Sequence, residues 1–334
     1  MMRTGTIITI AAILTLTVIP SCHKNNSDSE TDPYLDGALS YYIPMYTLQG
    51  ETYKLTPTGV YNPTTGNVGY YWYSSWITTK DTTKTETGLG DGSWTVTTPD
   101  ETGSHTITCY AYATDYSPLY TIRTFYVVDT TLNSSITGAA YQADSLTFKD
   151  SRDGGTYYLS TIGGKVCMQN NLYYKKSGVS YQESTAVDPL FGRLYTWEEA
   201  QTACPSGWHL PSDAEFAAIA SAASGSTYSA GQEFEGAAGS LMADAYFLNV
   251  KMWTFWPQVK ITNNVKFSAL PIGYAVDQDG RQKYSGLNSY ATFWTTDNEG
   301  STGIYRYLYV DKPNVYVAKG DKKSFRASVR CIKD

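Results

Sequence analysis

Two helix starts lie close together in the sequence, and they confine the clear helical pattern to one short segment. Thr196 is followed at the third position by Glu199, and Ser212 is followed at the same spacing by Glu215. In each pair the hydroxyl can accept a hydrogen bond from the backbone amide of the glutamate. The glutamate carboxylate can in turn accept one from the backbone amide of the hydroxyl residue, and this reciprocal arrangement is a capping box. Pro205 ends the first helix. The second helix continues with an apolar stripe formed by Phe216, Ile219, Ala220 and Ala223. The rest of the chain must therefore consist largely of strands and turns.

Composition and turn signals agree with a strand-rich chain. Thirty tyrosines and eight tryptophans occur among 334 residues, and only 17% of the residues are charged. Short strand-forming runs separated by Pro, Asp and Gly occupy residues 34–129, which predicts a β-sandwich with Trp72 in its core. A Ser/Thr/Ala-rich linker follows over residues 130–147. Two helices and then further strands predict an α+β domain over residues 148–334.

The N-terminus has the features of a secretion signal that ends at a cysteine. A short positive start precedes a largely apolar run over residues 7–19, which is too short to span a bilayer comfortably. Residues 1–21 followed by Cys22 resemble a bacterial lipoprotein signal, in which the cysteine is acylated and becomes the mature N-terminus. An ordinary secretory signal with an incidental cysteine is the alternative.

Residues 22–33 are polar and predict a flexible tether. The acidic residues of this tether resemble the export signal of surface-exposed lipoproteins in Bacteroidetes-type bacteria, and a plain solvated linker is the alternative. The net charge of −6, without a run rich in Lys and Arg, argues against nucleic acid as a partner. Membrane attachment is therefore expected only through the lipid on Cys22, at the outer membrane and facing the cell exterior.

Five stretches of the C-terminal half carry a family resemblance. They are "FKDSRDGGTYYLSTIGGKVCMQNNL", "GRLYTWEEAQTACPSGWHLPSDAEF", "FSALPIGY", "YATFWTTDNEG" and "FRASVRCIKD". Their order resembles that of the Fibrobacter succinogenes major paralogous domain family, which is similar to C-type-lectin-like domains. The resemblance implies a C-type-lectin-like fold for residues 148–334, although Cys167 stands where the family usually has a tryptophan. The stretch "TPDETGSHTITCYAYATD" resembles the late strands of an immunoglobulin-like or polycystic-kidney-disease-type (PKD) domain, which is commonly a spacer in surface proteins.

The same resemblance implies a disulfide bond. In C-type-lectin-like folds a cysteine that ends the first helix pairs with one in the last strand, which corresponds here to Cys204 and Cys331. The oxidising envelope permits this bond, and free buried thiols are the alternative. Cys109 and Cys167 lie in different predicted domains, and two independent buried thiols are favoured over a bond between them.

Aromatic residues in the C-terminal half are candidates for ligand binding. Trp253 and Trp256 lie in an aromatic segment within the long variable region of the family, and Trp294 lies in a later strand. Sugar rings stack readily on exposed indole faces, so these three tryptophans are the predicted glycan-binding residues. For the segment at 252–257, completion of the core is favoured over binding.

Calcium is the cofactor that the lectin resemblance suggests. The stretch that begins at Trp294 resembles the Trp-Asn-Asp element of calcium-dependent lectins. If a cation site exists, its first candidate ligands are Asp297, Asn298 and Glu299. The stretch at 277–280 opens like a calcium loop, but its Asp-Gly pair favours a hairpin turn.

Enzyme chemistry is not expected. His209, Ser212 and Asp213 lie close together, but Ser212 caps a helix and no nucleophile elbow surrounds it. The three histidines of the chain lack the spacing of zinc ligands. The segment "GWHLPSDAEF" resembles formylglycine-generating enzymes, but their chemistry needs a copper-binding cysteine pair where this chain has only Cys331.

The sequence thus predicts a non-enzymatic cell-surface lipoprotein whose C-terminal domain binds an extracellular ligand, most readily a glycan. This expectation follows from the fold resemblance and the aromatic richness. The alternative is a structural, pilus-tip or adhesin subunit that binds another protein. An enzyme similar to the formylglycine-generating enzymes is a remote third hypothesis.

Overall fold

Strands dominate the structure, as the sequence predicts. The computed structural model describes residues 32–76, 92–129, 131, 136–138, 146–254 and 259–334. Strands account for 46% of the structure and helices for little of it. Cys22 and Trp256 lie outside the described residues. Within the described ranges, the helices are too short or too polar to cross a membrane.

The strands of the N-terminal part pack around one core. They are β1 (Asp36–Ser40), β2 (Tyr46–Leu48), β3 (Thr52–Leu55), β4 (Thr58–Tyr61), β5 (Gly69–Ser74), β6 (Trp94–Thr97), β7 (Gly103–Tyr112) and β8 (Leu119–Val128). Four of them form a sheet in the order β2-β8-β7-β5, while β1 pairs with β4 and β3 pairs with β6. Apolar side chains from these sheets, including Leu39, Leu55 and Cys109, form one cluster. Trp72 is buried there, and its Nε1–H donates to the carbonyl of Gly92 at 3.0 Å, which confirms its predicted place.

The C-terminal part contains the helices and the larger sheets. Its strands are β9 (Ile136–Gly138), β10 (Thr147–Lys149), β11 (Thr156–Ile162), β12 (Lys165–Met168), β13 (Val179–Ser180), β14 (Arg193–Thr196), β15 (Trp208–His209), β16 (Ala245–Phe247), β17 (Val250–Lys251), β18 (Ile272–Gln278), β19 (Arg281–Leu287), β20 (Tyr290–Glu299), β21 (Thr302–Tyr309), β22 (Val315–Asp321), β23 (Phe325–Ser328) and β24 (Ile332–Lys333). Its helices are α1 (Asp188–Phe191), α2 (Trp197–Ala203), α3 (Asp213–Ser224) and α4 (Ala238–Leu241), with two 3-10 turns at Tyr181–Glu183 and Thr185–Val187.

Two sheets organise this C-terminal part. One has five strands in the order β10-β11-β12-β24-β15. The other runs β13-β14-β23-β18-β20-β21-β22, and β19 pairs with β18 beside it. The last two strands of the chain thus lie inside these sheets, with β24 between β12 and β15 and β23 between β14 and β18.

Both predicted capping boxes are present. The Thr196 hydroxyl accepts from the Glu199 amide at 3.2 Å, and the Glu199 carboxylate accepts from the Thr196 amide at 2.8 Å. Ser212 and Glu215 form the same reciprocal pair at the start of α3. The predicted stripe of α3 is buried in one core cluster that also includes residues of β12 and β20. The helices therefore begin where the two hydroxyl residues place them.

The Asp-Gly stretch forms a hairpin turn, as the sequence favours. β18 and β19 pair up to this turn, and Asp279 and Gly280 have φ angles of 52° and 74°. Positive φ at both central positions is the geometry that an Asp-Gly pair supports. The neighbouring Asp277 carboxylate accepts two hydrogen bonds of 2.8 Å from the Arg326 guanidinium. That carboxylate is therefore engaged by an arginine within the fold.

The N-terminal and C-terminal parts share an apolar cluster, here called the seam. Tyr46 and Val128 of the first part pack in it with Phe191 and Leu270 of the second. The Tyr46 amide also donates to the Ser184 hydroxyl at 2.9 Å. In addition, β9 from the predicted linker pairs with β16, so the linker contributes a strand to the second part. The seam therefore joins the two parts through side chains, a hydrogen bond and the linker strand.

A disulfide bond joins Cys204 to Cys331, as the family resemblance implies. The bond ties the end of α2 to the residue before β24, over a sequence separation of 127. Cys109 and Cys167 are free and buried, which confirms that they do not pair with each other. Burial raises the pKa of each of these two thiols to about 12, so both stay protonated at neutral pH.

Candidate functional site

The predicted sugar-stacking tryptophans do not offer exposed faces, and that prediction is wrong for two of them. Trp253 is 1% exposed and its Nε1–H donates to the Ala269 carbonyl at 3.2 Å. Trp294 is fully buried and its Nε1–H donates to the Tyr195 carbonyl at 2.7 Å. Buried indoles with satisfied N–H groups are core residues. The third, Trp256, lies outside the described residues.

The predicted calcium ligands do not form a cation site. The Asp297 carboxylate accepts from the first backbone amide of α3 at 2.6 Å, which stabilises that helix start. Asn298 accepts from the Lys322 ammonium at 2.8 Å, and Glu299 forms an ion pair with Lys319. Their oxygens are thus used by three separate donors, and two of those donors are cations. Within the described ranges, no three His, Cys, Asp or Glu side chains are grouped as a metal site requires.

The residues that resemble a hydrolase triad have structural roles at the start of α3. Ser212 caps α3, and Asp213 forms an ion pair with Arg306 in which both side chains are almost fully buried. The His209 ring is held elsewhere: its Nδ1 lies 2.6 Å from a carboxylate oxygen of Asp334, and its Nε2 lies 3.3 Å from one of Glu215. Ser212 also bonds to Glu215, whereas Asp213 pairs with Arg306, so the three side chains do not form a nucleophile–base–acid series.

An aromatic face covers one side of the large C-terminal sheet. Across β20 and β21, Tyr290 pairs with Tyr309 and Trp294 pairs with Tyr305, so these side chains share one side of the sheet. The alternate residues, such as Phe293, enter the core instead. We call the following set the aromatic face: Tyr274, Tyr290, Tyr305, Tyr307, Tyr309, Tyr316 and Phe325. Every member is partly exposed.

Five rings of the aromatic face form a closed circuit. Tyr274 lies 5.3 Å from Phe325, and Phe325 lies 4.7 Å from Tyr305, measured between ring centroids. Tyr305 then contacts Tyr307 at 6.1 Å, and Tyr307 contacts Tyr290 at 5.9 Å. A contact of 6.0 Å between Tyr290 and Tyr274 closes the circuit. Rings that hold one another in this way lose little further conformational entropy on binding a ligand.

The core beneath the circuit holds it in place. Trp294 meets Phe325 and Tyr305 edge-on at centroid distances of 5.5 Å and 5.7 Å. Gly320 is required beside them, because a Cβ atom there would lie 2.6 Å from the Phe325 ring and 2.9 Å from Trp294. The buried Trp294 indole therefore supports the rings that are partly exposed.

The tyrosine hydroxyls of the aromatic face have no protein partner among the residues that the structure describes. Burial, followed by the nearby hydroxyls of Tyr307, Tyr274 and Tyr290, raises the pKa of Tyr305 to about 12. Burial, followed by the nearby hydroxyls of Tyr309 and Tyr274, also raises the pKa of Tyr290. The Tyr305 and Tyr290 hydroxyls thus stay neutral at physiological pH, and a tyrosine hydroxyl can both donate and accept a hydrogen bond.

A period-two pattern in the sequence marks part of the aromatic face. The stretch "YRYLY" at 305–309 alternates tyrosine with residues that are buried in the core, which is the pattern of a strand with two different faces. This signal could have identified three members. The other members come from four further strands, and nothing in the sequence indicates which of those strands are neighbours.

Comparisons with known proteins place the C-terminal part in a family. No curated protein matches the chain. Among solved structures, the chain is similar to the Yersinia pseudotuberculosis adhesin InvE, with 12% sequence identity over 89% of this chain and 70% of that one. The TM-score of 0.23 is too low for that likeness to inform fold or function. Residues 141–333 match the model of the Fibrobacter succinogenes major domain. Because this match spans more than half of the chain, the protein belongs to the Fibrobacter succinogenes major domain family.

Proposed function

We propose that this protein is a cell-surface lipoprotein that binds an extracellular glycan on its aromatic face and is not an enzyme. The observation that carries the proposal is the closed circuit of partly exposed rings, whose tyrosine hydroxyls have no partner in the described part of the chain. A sugar presents C–H groups on its ring faces and hydroxyls at its edge. Aromatic side chains pack against the C–H groups, and tyrosine hydroxyls form hydrogen bonds with the sugar hydroxyls.

The chemistry of the aromatic face favours a neutral glycan. All of its members are uncharged, so a carboxylated or sulfated sugar would gain no ion pair there. Each hydrogen bond to a tyrosine hydroxyl contributes about 0.5–1.5 kcal/mol, so several are needed for useful affinity. Six tyrosines within one patch supply that number.

The remaining parts of the proposal concern location and architecture. Acylation of Cys22 would anchor the protein in the outer membrane, and residues 22–33 would form the tether. The N-terminal part would act as an immunoglobulin-like or PKD-like spacer that holds the C-terminal part away from the membrane. The C-terminal part would have the C-type-lectin-like fold to which its family is similar.

A glycan array with the lipid-free chain from residue 23 to residue 334 tests the proposal. We expect binding of neutral glycans, unchanged by a calcium chelator because the described residues form no cation site. Tyr307→Ala removes a ring from the centre of the circuit and should weaken binding about tenfold. Tyr120→Ala is the matched control, since Tyr120 is a strand tyrosine of the N-terminal part and is 62% exposed. Absence of glycan binding, or equal loss in both variants, contradicts the proposal.

A second candidate function is docking of another protein on the N-terminal part. Tyr71, Tyr110 and Tyr120 form a tyrosine ladder across β5, β7 and β8, with centroid distances of 4.6 Å and 5.5 Å. Ile122 beside them is 54% exposed. An exposed apolar residue among tyrosines is a typical composition for a protein interface. This ladder favours the adhesin or assembly-subunit function as the alternative.

The two functions can be separated with one pair of variants. Ile122→Asp places a charge in the tyrosine ladder and should abolish recovery of a protein partner from cell envelopes, while glycan binding persists. Tyr307→Ala should have the reverse effect. Loss of both activities in either variant would indicate a general structural defect, and near-normal partner recovery by Ile122→Asp would exclude the ladder as a docking surface.

A further inference from the structure

A cavity of about 670 Å³ lies along the seam between the two parts of the chain. The N-terminal part contributes Met45, Tyr46 and Tyr126, and the C-terminal part contributes Phe191 and Phe247 among others. The volume falls within the usual range for small-molecule sites, which are commonly found where domains meet. The cavity is distinct from the aromatic face, since no member of that face lines it.

The walls of the cavity are aromatic and rigid. Tyr46 contacts three rings, those of Tyr126, Phe191 and Phe247, at centroid distances of 5.6 Å, 5.8 Å and 5.5 Å. Phe191 and Phe247 also contact each other at 5.1 Å. Tyr46, Phe191 and Phe247 are buried, so their positions are fixed by packing on both sides of the seam. The cavity is therefore largely preformed.

The cavity excludes charge. None of the described residues that line it is Asp, Glu, Lys, Arg or His. A charged group placed there would lose its hydration without gaining a counterion, which is strongly unfavourable. A ligand of this cavity must therefore be uncharged.

One buried polar group of the wall is available to a ligand. Tyr46 is only 5% exposed, and its hydroxyl makes no hydrogen bond within the described part of the chain. Burial raises the pKa of Tyr46, and the nearby hydroxyls of Tyr181 and Tyr126 raise it further, so the group stays neutral. A ligand group that reaches this hydroxyl can form a hydrogen bond with it in place of water.

We propose that the seam cavity binds an uncharged ring compound that carries one hydroxyl or carbonyl group. The ring system packs against Tyr46, Phe191 and Phe247, and the polar group forms a hydrogen bond with the Tyr46 hydroxyl. The proposal is independent of the glycan function, which concerns another surface.

Calorimetric titration of the lipid-free chain with 2-naphthol tests the proposal. We expect saturable binding with a negative heat-capacity change, because apolar surface is buried. Naphthalene-2-sulfonate, of similar size but charged, should bind at least about tenfold more weakly. Equal affinity for the two compounds, or no binding of 2-naphthol, would overturn the proposal.

Two variants locate the ligand. Tyr46→Phe keeps the ring and removes the hydroxyl, so it should weaken 2-naphthol binding about 2- to 13-fold and leave naphthalene binding unchanged. Ser104→Trp places an indole at an exposed position that lines the cavity, and should prevent binding of both. Tyr120→Phe, in the tyrosine ladder, is the matched control. Unchanged 2-naphthol affinity in Tyr46→Phe or in Ser104→Trp would refute the assigned site, provided that circular dichroism confirms folding.

Discussion

Loss of the Cys204–Cys331 disulfide should destabilise the C-terminal part strongly. The bond closes a loop with a sequence separation of 127, for which the loop-entropy relation gives about 5 kcal/mol at 25 °C. The position of the bond adds to this effect. Cys331 is fully buried and precedes β24, which lies between β12 and β15 in the five-stranded sheet. Without the bond, β24 is no longer tied covalently to the end of α2.

Urea unfolding of three samples measures this contribution. These are the oxidised chain, the reduced chain, and the Cys204→Ala/Cys331→Ala variant, each followed by tryptophan fluorescence and circular dichroism. We expect the second and third to lose about 3–5 kcal/mol, the lower figure allowing for residual structure in the unfolded chain. Any transition that reports on the N-terminal part alone should change less, because its core contains neither cysteine.

The double variant also provides the control. Adding reductant to it should have no further effect, because Cys109 and Cys167 are already free thiols. If the oxidised chain and the double variant unfold within about 1 kcal/mol of each other, the loop-closure argument for this bond is refuted. A large effect of reductant on the double variant would show instead that another disulfide is present.

Three further predictions follow from the buried and charged groups of the C-terminal part. Asp213→Asn leaves the Arg306 guanidinium buried without its carboxylate and should cost about 3–5 kcal/mol in urea unfolding, whereas the exposed Asp297→Asn should cost less than about 1 kcal/mol. Burial alone would raise the pKa of Glu215, but hydrogen bonds from Ser212, Lys165 and His209 lower it to about 2. The ionised carboxylate therefore stabilises the fold fully above pH 5, and this contribution is lost as the pH falls towards 2. The loss is up to about 3 kcal/mol, and Glu215→Gln should flatten this part of the pH–stability curve. Trp253→Ala should lower the free energy of unfolding by about 3–5 kcal/mol, because it leaves a cavity at a core position. Loss of ligand binding without destabilisation would contradict the buried position of Trp253.

Local chemistry explains why the helix starts were predictable. Each capping box joins residues three positions apart, so the sequence contains the whole interaction. The Asp-Gly turn is similarly local, because it depends on two residues that tolerate positive φ. The disulfide, in contrast, was predictable only through the family resemblance, since spacing alone does not determine which cysteines meet.

The exposure of the tryptophans could not be read from the sequence. Trp253 and Trp294 have the same residue type and similar aromatic neighbours as a surface stacking site would have. Their burial depends on which strands cover them, and for Trp294 the covering residues come from β14, β21 and β23. Such contacts link residues far apart in the chain, so no local pattern reports them.

The sequence by itself determined the strand-rich class, the positions of α2 and α3, the Asp-Gly hairpin and, through its motifs, the family of the C-terminal part. Those features depend on neighbouring residues or on residue order. The tertiary structure alone decided that Trp294 supports the aromatic face, that Asp297 accepts from the first amide of α3, and that Tyr46 lines a cavity between the two parts. These outcomes depend on strand order and on packing across the seam, where the contacting residues are separated by up to about two hundred positions.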